Sequence, residues 1–220
     1  VCAMEDLRGT GADPEYDGYV WQLDLETGER RSTHALHDVF PEATCTDVAV
    51  TGDGTAYVTD RDFGNVYAIA PDGTATVHGT SSLLEGDIIG QNAVVVLPDE
   101  SALLVAIYLP SRLVRVSLDD GAATDVAIAG FGDAAFLSGA DGMTMVGDTA
   151  YVAFSKKLVA LRSEDGSWST ATLAEAEVTE GMTDVVATPD GLFLLNGQAV
   201  RYAFGQPTDP FRLSRFEGEL

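Results

Sequence analysis

Lysine is almost missing from this chain. Among 220 residues there are 35 acidic and 12 basic side chains, and only Lys156 and Lys157 are lysines. A net charge of −23 repels polyanions, which argues against nucleic acid and anionic membrane surfaces as partners. No apolar run approaches the roughly 18 residues of a membrane-crossing helix. The two cysteines, Cys2 and Cys45, are too few for a disulfide framework. They are expected as free thiols serving as small apolar side chains, with a bridge between them as the alternative. No CxxC or Cys/His grouping suggests zinc. His34 and His78 fall on expected outer strands, and Ser111 and Ser155 lack the GxSxG context of an activated nucleophile. Gly130-Phe131-Gly132 is no phosphate loop. Helical sequence is scarce as well: Ser81–Glu85 and Leu173–Ala176 each suffice for one turn, too short to stand alone.

What the chain has is alternation, 23 glycines, and a segment that recurs four times. Cys45-Thr46-Asp47-Val48-Ala49-Val50 passes through Asp53-Gly54 into Ala56–Asp60. Gln91-Asn92-Ala93-Val94-Val95-Val96 passes through Pro98-Asp99 into Leu103–Ala106. Ala140-Asp141-Gly142-Met143 passes through Gly147-Asp148 into Ala150–Ala153. Met182-Thr183-Asp184-Val185 passes through Asp190-Gly191 into Leu192–Leu195. The lead positions Thr46, Asn92, Asp141 and Thr183 are 46, 49 and 42 residues apart. A period in the forties with about four strands per unit predicts an all-β fold, a β-propeller of four-stranded blades.

Between these segments lie Asp-Gly hairpins at Asp72-Gly73, Asp120-Gly121 and Asp165-Gly166, which read as the two outer strands of each blade. The expected organisation is a single propeller domain over residues 1–220 covering about five blades. The first blade carries a polar loop over residues 11–17 and lacks its innermost strand. Phe211–Phe216 alternates and is expected as a closing strand that could supply it; the alternative is a six-bladed parent whose N-terminal blade, or part of it, is missing.

The stretches Cys45–Asp60, Gln91-Asn92-Ala93, Ala140–Met143, Leu195–Gln198 and Pro210–Leu213 resemble the gluconolactonase/regucalcin (senescence marker protein) family of six-bladed propellers. That resemblance implies a divalent cation on the axis, calcium or else Mg²⁺ or Zn²⁺, with Asn92, Asp141 and Thr46 at ligand positions. Thr46 stands where the family has an asparagine, Ala93 stands where it has a glycine, and its glutamate ligand has no counterpart after Val1. The resemblance also makes Asp141 the general base of a metal-dependent hydrolase of a small lactone or ester, acting on a small-molecule substrate. The alternative is a non-catalytic propeller that binds a small ligand or a protein. By strand alternation Asp47 and Asp184 point away from the lead positions and are expected to order turns by accepting amides of neighbouring blades. Tyr57, Tyr67, Tyr108 and Tyr151 read as core. Tyr108, Phe63 and Phe154 follow inner strands, where binding-face loops begin. Oligomeric state and compartment have no signature here, though an extracellular or periplasmic site is compatible with the chain.

The acidity admits two readings: a solubilising surface, or adaptation to high salt, where carboxylates retain water. Melting temperature followed across an NaCl series separates them. A protein as stable without salt as in molar NaCl has an acidic surface for solubility alone.

Overall fold

The computed structural model describes residues 1–6, 16–87, 89–129, 139–154, 156–178, 181–198, 205, 210–218 and 220, with the backbone alone for 4–6, 16 and 17. The polar loop expected over 11–17 therefore lies largely outside the described residues, as do Gly130–Gly132. Five sheets follow one another along the chain. The first contains β1 (Cys2–Asp6), β2 (Tyr16–Leu23) and β3 (Arg30–Ala35). The second contains β4 (Val48–Val50), β5 (Ala56–Thr59), β6 (Asn65–Ile69) and β7 (Ala75–Thr80). The third contains β8 (Ile89–Val96), β9 (Ala102–Leu109), β10 (Arg112–Ser117) and β11 (Ala123–Asp125). β12 (Ala127–Ala129) then crosses over and adds, parallel, to the outer edge of the fourth sheet. That sheet continues inward through β16 (Thr170–Glu177), β15 (Lys157–Arg162), β14 (Thr149–Phe154) and β13 (Ala140–Val146). The fifth contains β17 (Asp184–Thr188), β18 (Gly191–Asn196) and β19 (Arg212–Arg215).

The reason the sheets stack radially is visible in β9, where Ala102 to Ile107 are all buried. Side chains of a strand alternate between faces, so both faces of this sheet must be covered. Leu103, Val105 and Ile107 pack with Tyr57 and Val66 of the second sheet. Ala102, Leu104 and Ala106 pack with Met143, Val152 and Val159 of the fourth. The same device joins the first sheet to the second through Val20, Leu36, Val58 and Tyr67. It joins the fourth to the fifth through Ala153, Leu158, Met182 and Leu194. Four apolar layers thus separate five sheets in a propeller arrangement. At the hairpin from β10 to β11, Gly121 adopts φ +70°, and a Cβ there would run into the carbonyl oxygen of His78 on the neighbouring sheet. Both the turn and the close approach require glycine.

Several expectations need correction. Cys2 and Cys45 are not free thiols; they form a disulfide with a Cα–Cα distance of 5.3 Å, tying β1 to the approach to β4. The packing of the first sheet on the second brings together two cysteines that are 43 residues apart in sequence. Phe211–Phe216 does not close the ring through the first sheet: β19 pairs antiparallel with β18, Leu213 opposite Leu195, as the third strand of the fifth sheet. Leu173–Ala176 is not a turn of helix but lies in β16, where pairing with β15 outweighs its helical composition. Ser82–Leu84 does form one 3-10 turn, and a second occupies Leu36–Asp38; both follow an outer strand on the way to the next sheet.

The loop closed by Cys2 and Cys45 corresponds to about 4 kcal/mol of chain entropy removed from the unfolded state. Reduction, or a Cys45→Ser exchange, is expected to lower the unfolding free energy by about 2–4 kcal/mol in chemical denaturation; an unchanged midpoint would show the bridge to be dispensable. Leu104→Ala, at a fully buried site between two sheets, is expected to cost about 2–5 kcal/mol in the same measurement.

Candidate functional site

The innermost strands β4, β8, β13 and β17 surround a channel of about 360 Å³. Its wall is aliphatic along Val48, Val50, Val94, Val96, Met143 and Met145, and acidic where Asp47 and Asp184 enter it. Beside this entrance the third and fourth repeats meet, although Asn92 and Asp141 are not themselves among the residues lining the channel. The Nδ2 of Asn92 donates to Oδ1 of Asp141 at 2.9 Å and to the carbonyl of Ala140 at 3.0 Å, spanning from the third sheet to the fourth. Asp47 spans from the second sheet to the third: its Oδ2 accepts the Val94 amide at 2.9 Å, while its Oδ1 accepts the amide of Val48 at 2.8 Å. Asp184 stands against the backbone of the fourth sheet at Gly142, where an added Cβ would lie 2.7 Å from the Asp184 Cγ. The Asp141-Gly142 pair is thereby explained, because only glycine admits that carboxylate.

The expected pairing of Asn92 with Asp141 is therefore present. Thr46 is placed differently: its amide bonds the carbonyl of Thr59 at 3.0 Å, and none of its described contacts reaches Asn92 or Asp141. Asp47 does accept an amide of the neighbouring blade, as expected. Asp184 accepts instead from its own strand, at Val185. The expectation that both carboxylates face away from the site is corrected, since both line the channel. The cause is local. The pairing of β8 with β9 slips between Gln91 and Ala93, and that of β13 with β14 between Ala140 and Met143. Asn92 and Asp141 thus sit on β-bulges, which re-aim side chains, whereas β4 and β17 pair without a break. The four lead positions are not equivalent in three dimensions. Asp184 is the residue that sequence reading undervalued; the shared Thr-Asp pair at 46–47 and 183–184 was the available signal.

Electrostatically the entrance is strained. Burial pushes the Asp47 carboxyl up to about 6, against the opposing pull of the Val94 and Val48 amides, and the charge of Asp184 raises it further. Burial likewise pushes Asp141 up to about 6, offset by the Asn92 hydrogen bond and reinforced by Asp184. Asp184 is itself raised by burial. Tyr108, half-buried, has its phenol raised by burial and by the charge of Asp141. Of the other expected loop residues, Phe63 packs edge-on against Phe40 with centroids 4.9 Å apart, and Phe154 is core. Tyr67 and Tyr57 are buried as expected. His34 and His78 lie on the outer strands β3 and β7.

The sequence matches, over residues 13–200, the family described as outer membrane protein assembly factor BamB. No curated protein matches the chain. Among solved structures it is similar to the major allergen Mala s 1 of Malassezia sympodialis (18% identity, 91% of this chain and 68% of that chain, TM-score 0.72). It is also similar to virginiamycin B lyase from Staphylococcus aureus (12%, 87% and 61%, 0.59). A luciferin-regenerating enzyme is a further neighbour (11%, 89% and 70%, 0.59). At these identities the likeness is one of fold. The chain spans 61% to 70% of the length of these three structures.

Three part-buried carboxylates, with the charge of Asp184 acting on the other two, predict a definite pH dependence. Their folded pKa values lie above the ordinary value, so the fold favours the protonated forms. The stability they contribute is full below about pH 4 and is lost as pH rises through about 6 for Asp47 and Asp141. Asp184→Asn removes the shared repulsion. It is expected to raise the melting temperature by a few degrees at pH 7.5 and to have no effect at pH 4; a pH-independent difference would show that the carboxylates do not interact.

Proposed function

Since this chain belongs to the family of the outer membrane protein assembly factor BamB, we propose that it is a binding propeller whose channel entrance takes a hard divalent cation or the cationic end of a ligand. The observation that carries this reading is the convergence of Asp141 and Asn92 on Asp184, which lines the channel. Carboxylates held near one another in part-buried positions gain from a positive charge that relieves their repulsion. The donor set is all oxygen, without His or Cys, and suits Ca²⁺ or Mg²⁺ rather than Zn²⁺. Among the described residues no three of His, Cys, Asp and Glu already stand grouped to hold a metal. A bound cation would therefore have to draw the carboxylates inward. Asn92, which turns its Nδ2 to Asp141, would offer its oxygen only with the amide turned over.

A second reading, metal-dependent hydrolysis of a small lactone or ester in the manner of gluconolactonase, is favoured by Asp141 itself. A carboxyl pushed up to about 6 is suited to exchanging protons near neutrality. A divalent cation would supply polarisation of the ester carbonyl. Asn92 would hold one carboxylate oxygen, leaving the other to take the proton of the attacking water, and the aliphatic wall of Val94, Val96 and Met145 would shield the reacting bond from bulk solvent.

The Cys2–Cys45 bridge favours folding in an oxidising compartment, periplasmic or extracellular. No helix among the described residues is long and apolar enough to cross a membrane.

Thermal unfolding with and without millimolar CaCl₂ or MgCl₂ tests the binding reading. Wild type is expected to rise by a few degrees and Asp141→Ala not to respond; no response in wild type would end it. Turnover of a small aliphatic lactone, lost with a chelator and with Asp141→Asn, would select the hydrolase. Cation binding without turnover would select the binding module.

A further inference from the structure

Tyr108 takes no part in the Asn92–Asp141 pair, yet it stands beside it. On β9 it follows Ala102, Leu104 and Ala106 in alternation, and those side chains pack on the fourth sheet. Tyr108 therefore leaves the third sheet on that same side, at the entrance end. What it meets there is Gly139, the residue before β13. An added Cβ on Gly139 would lie 3.5 Å from the Tyr108 hydroxyl oxygen and 3.7 Å from its Cζ. The Gly139 amide donates to the Tyr108 carbonyl at 3.2 Å, and the Ser111 hydroxyl donates to the same oxygen at 2.7 Å. Two hydrogen bonds thus fix the backbone that carries the ring.

The seam between the third and fourth sheets ends in a polar corner. Asn92 bridges it to Asp141 and to the Ala140 carbonyl, and the charge of Asp141 acts on the Tyr108 phenol. Burial and that charge hold the phenol in its protonated, donating form. Phe154, paired opposite Ala140, brings an apolar ring to the same end of the seam. Tyr67 shows the other use of a tyrosine: fully buried, it commits its hydroxyl to Asp60 at 2.6 Å. Tyr108 is only part-buried, and among the described residues its hydroxyl has no such partner.

We propose that Tyr108 contacts the ligand: its hydroxyl donates to a carbonyl oxygen of an uncharged molecule, such as a lactone or ester, seated at this corner beside Asp141. This rests on the entrance being a ligand site, as both readings have it, and adds the residue that meets the ligand and the ligand's charge. The carboxylates select the class. Asp47, Asp141 and Asp184 repel a carboxylate or a phosphate, and a phenol supplies a hydrogen bond without a positive charge to offset them. An acceptor oxygen that carries no net charge is what such a donor, in such a field, can hold.

The test titrates the whole chain, its tyrosines isotopically labelled at Cζ, with δ-valerolactone and in parallel with the ring-opened hydroxy acid anion, each with and without millimolar CaCl₂. The lactone is expected to shift the Tyr108 signal to saturation, that signal being the one lost in Tyr108→Phe. The anion is expected to bind roughly tenfold or more weakly. Tyr108→Phe keeps the ring and removes the hydroxyl. Followed through the lactone's own signals, it is expected to bind roughly threefold to tenfold more weakly, with an unchanged melting temperature. No saturable binding of the lactone by wild type, equal affinity with and without the hydroxyl, or preference for the anion would each overturn the proposal. So would a lowered melting temperature in Tyr108→Phe, since the hydroxyl would then be committed to the protein, as in Tyr67. Calcium stabilisation of wild type tests the entrance separately. A protein that responds to calcium but binds the lactone equally without the hydroxyl refutes the role of Tyr108 alone. One that binds through Tyr108 with no calcium response refutes the cation alone.

Discussion

A sheet that is apolar on both faces cannot end a stack. In β9 the run from Ala102 to Ile107 is buried throughout, so each face needs a cover, and here a neighbouring sheet supplies it on each side. That single constraint propagates. Leu104 calls for Val152, Leu158 calls for Leu194, and Tyr57 and Val66 complete the layer over Val105. Sheets packed face to face with a constant twist turn about a common axis, so their innermost strands converge whatever their side chains are. The channel is a by-product of packing, and the residues placed at its entrance inherit their proximity from it.

What the protein does with that proximity runs against its own stability. Asp47, Asp141 and Asp184 are held where burial, and for Asp47 and Asp141 also the charge of Asp184, disfavours the ionised form. The part-buried Asp47 and Asp141 each forgo of the order of 1–3 kcal/mol at neutral pH. The surrounding structure offsets this with amides and with Asn92, but only in part. Such local conflict, maintained within an otherwise well-packed scaffold, is where function is expected to reside. The distant Asp60 forms a contrast: also buried, its carboxylate accepts from Thr44, Tyr67, Asp62 and Phe63 and organises the loop after β5. A buried acid with a full set of donors is a structural element; one flanked by other acids is a candidate site.

The same packing logic makes the first sheet unlike the rest. Its β2 covers the second sheet through Val20, and the Cys2–Cys45 bridge fastens β1 to the approach to β4. There a covalent tie adds to the apolar layer between the two sheets.

Much of this was legible in residue order. Alternation within strands, the Asp-Gly turns and the recurrence of Thr46, Asn92, Asp141 and Thr183 specified sheets, hairpins and their succession, because each depends on neighbours a few residues apart. The meeting of Asn92 with Asp141 followed from the repeat as well. Other features depended on contacts that no local pattern encodes. Slipped register at Gln91/Ala93 and Ala140/Met143 made the four lead positions inequivalent, a break that the sequence repeat does not show. Sheet-on-sheet packing brought Cys45 to Cys2, and pairing with β18 took Arg212–Arg215 into the fifth sheet rather than the first. Sequence alone determined the period and the polarity of each strand, which are local steric and solvation properties. The tertiary structure decided register, partnership and the direction of each carboxylate, because these follow from the sum of distant contacts.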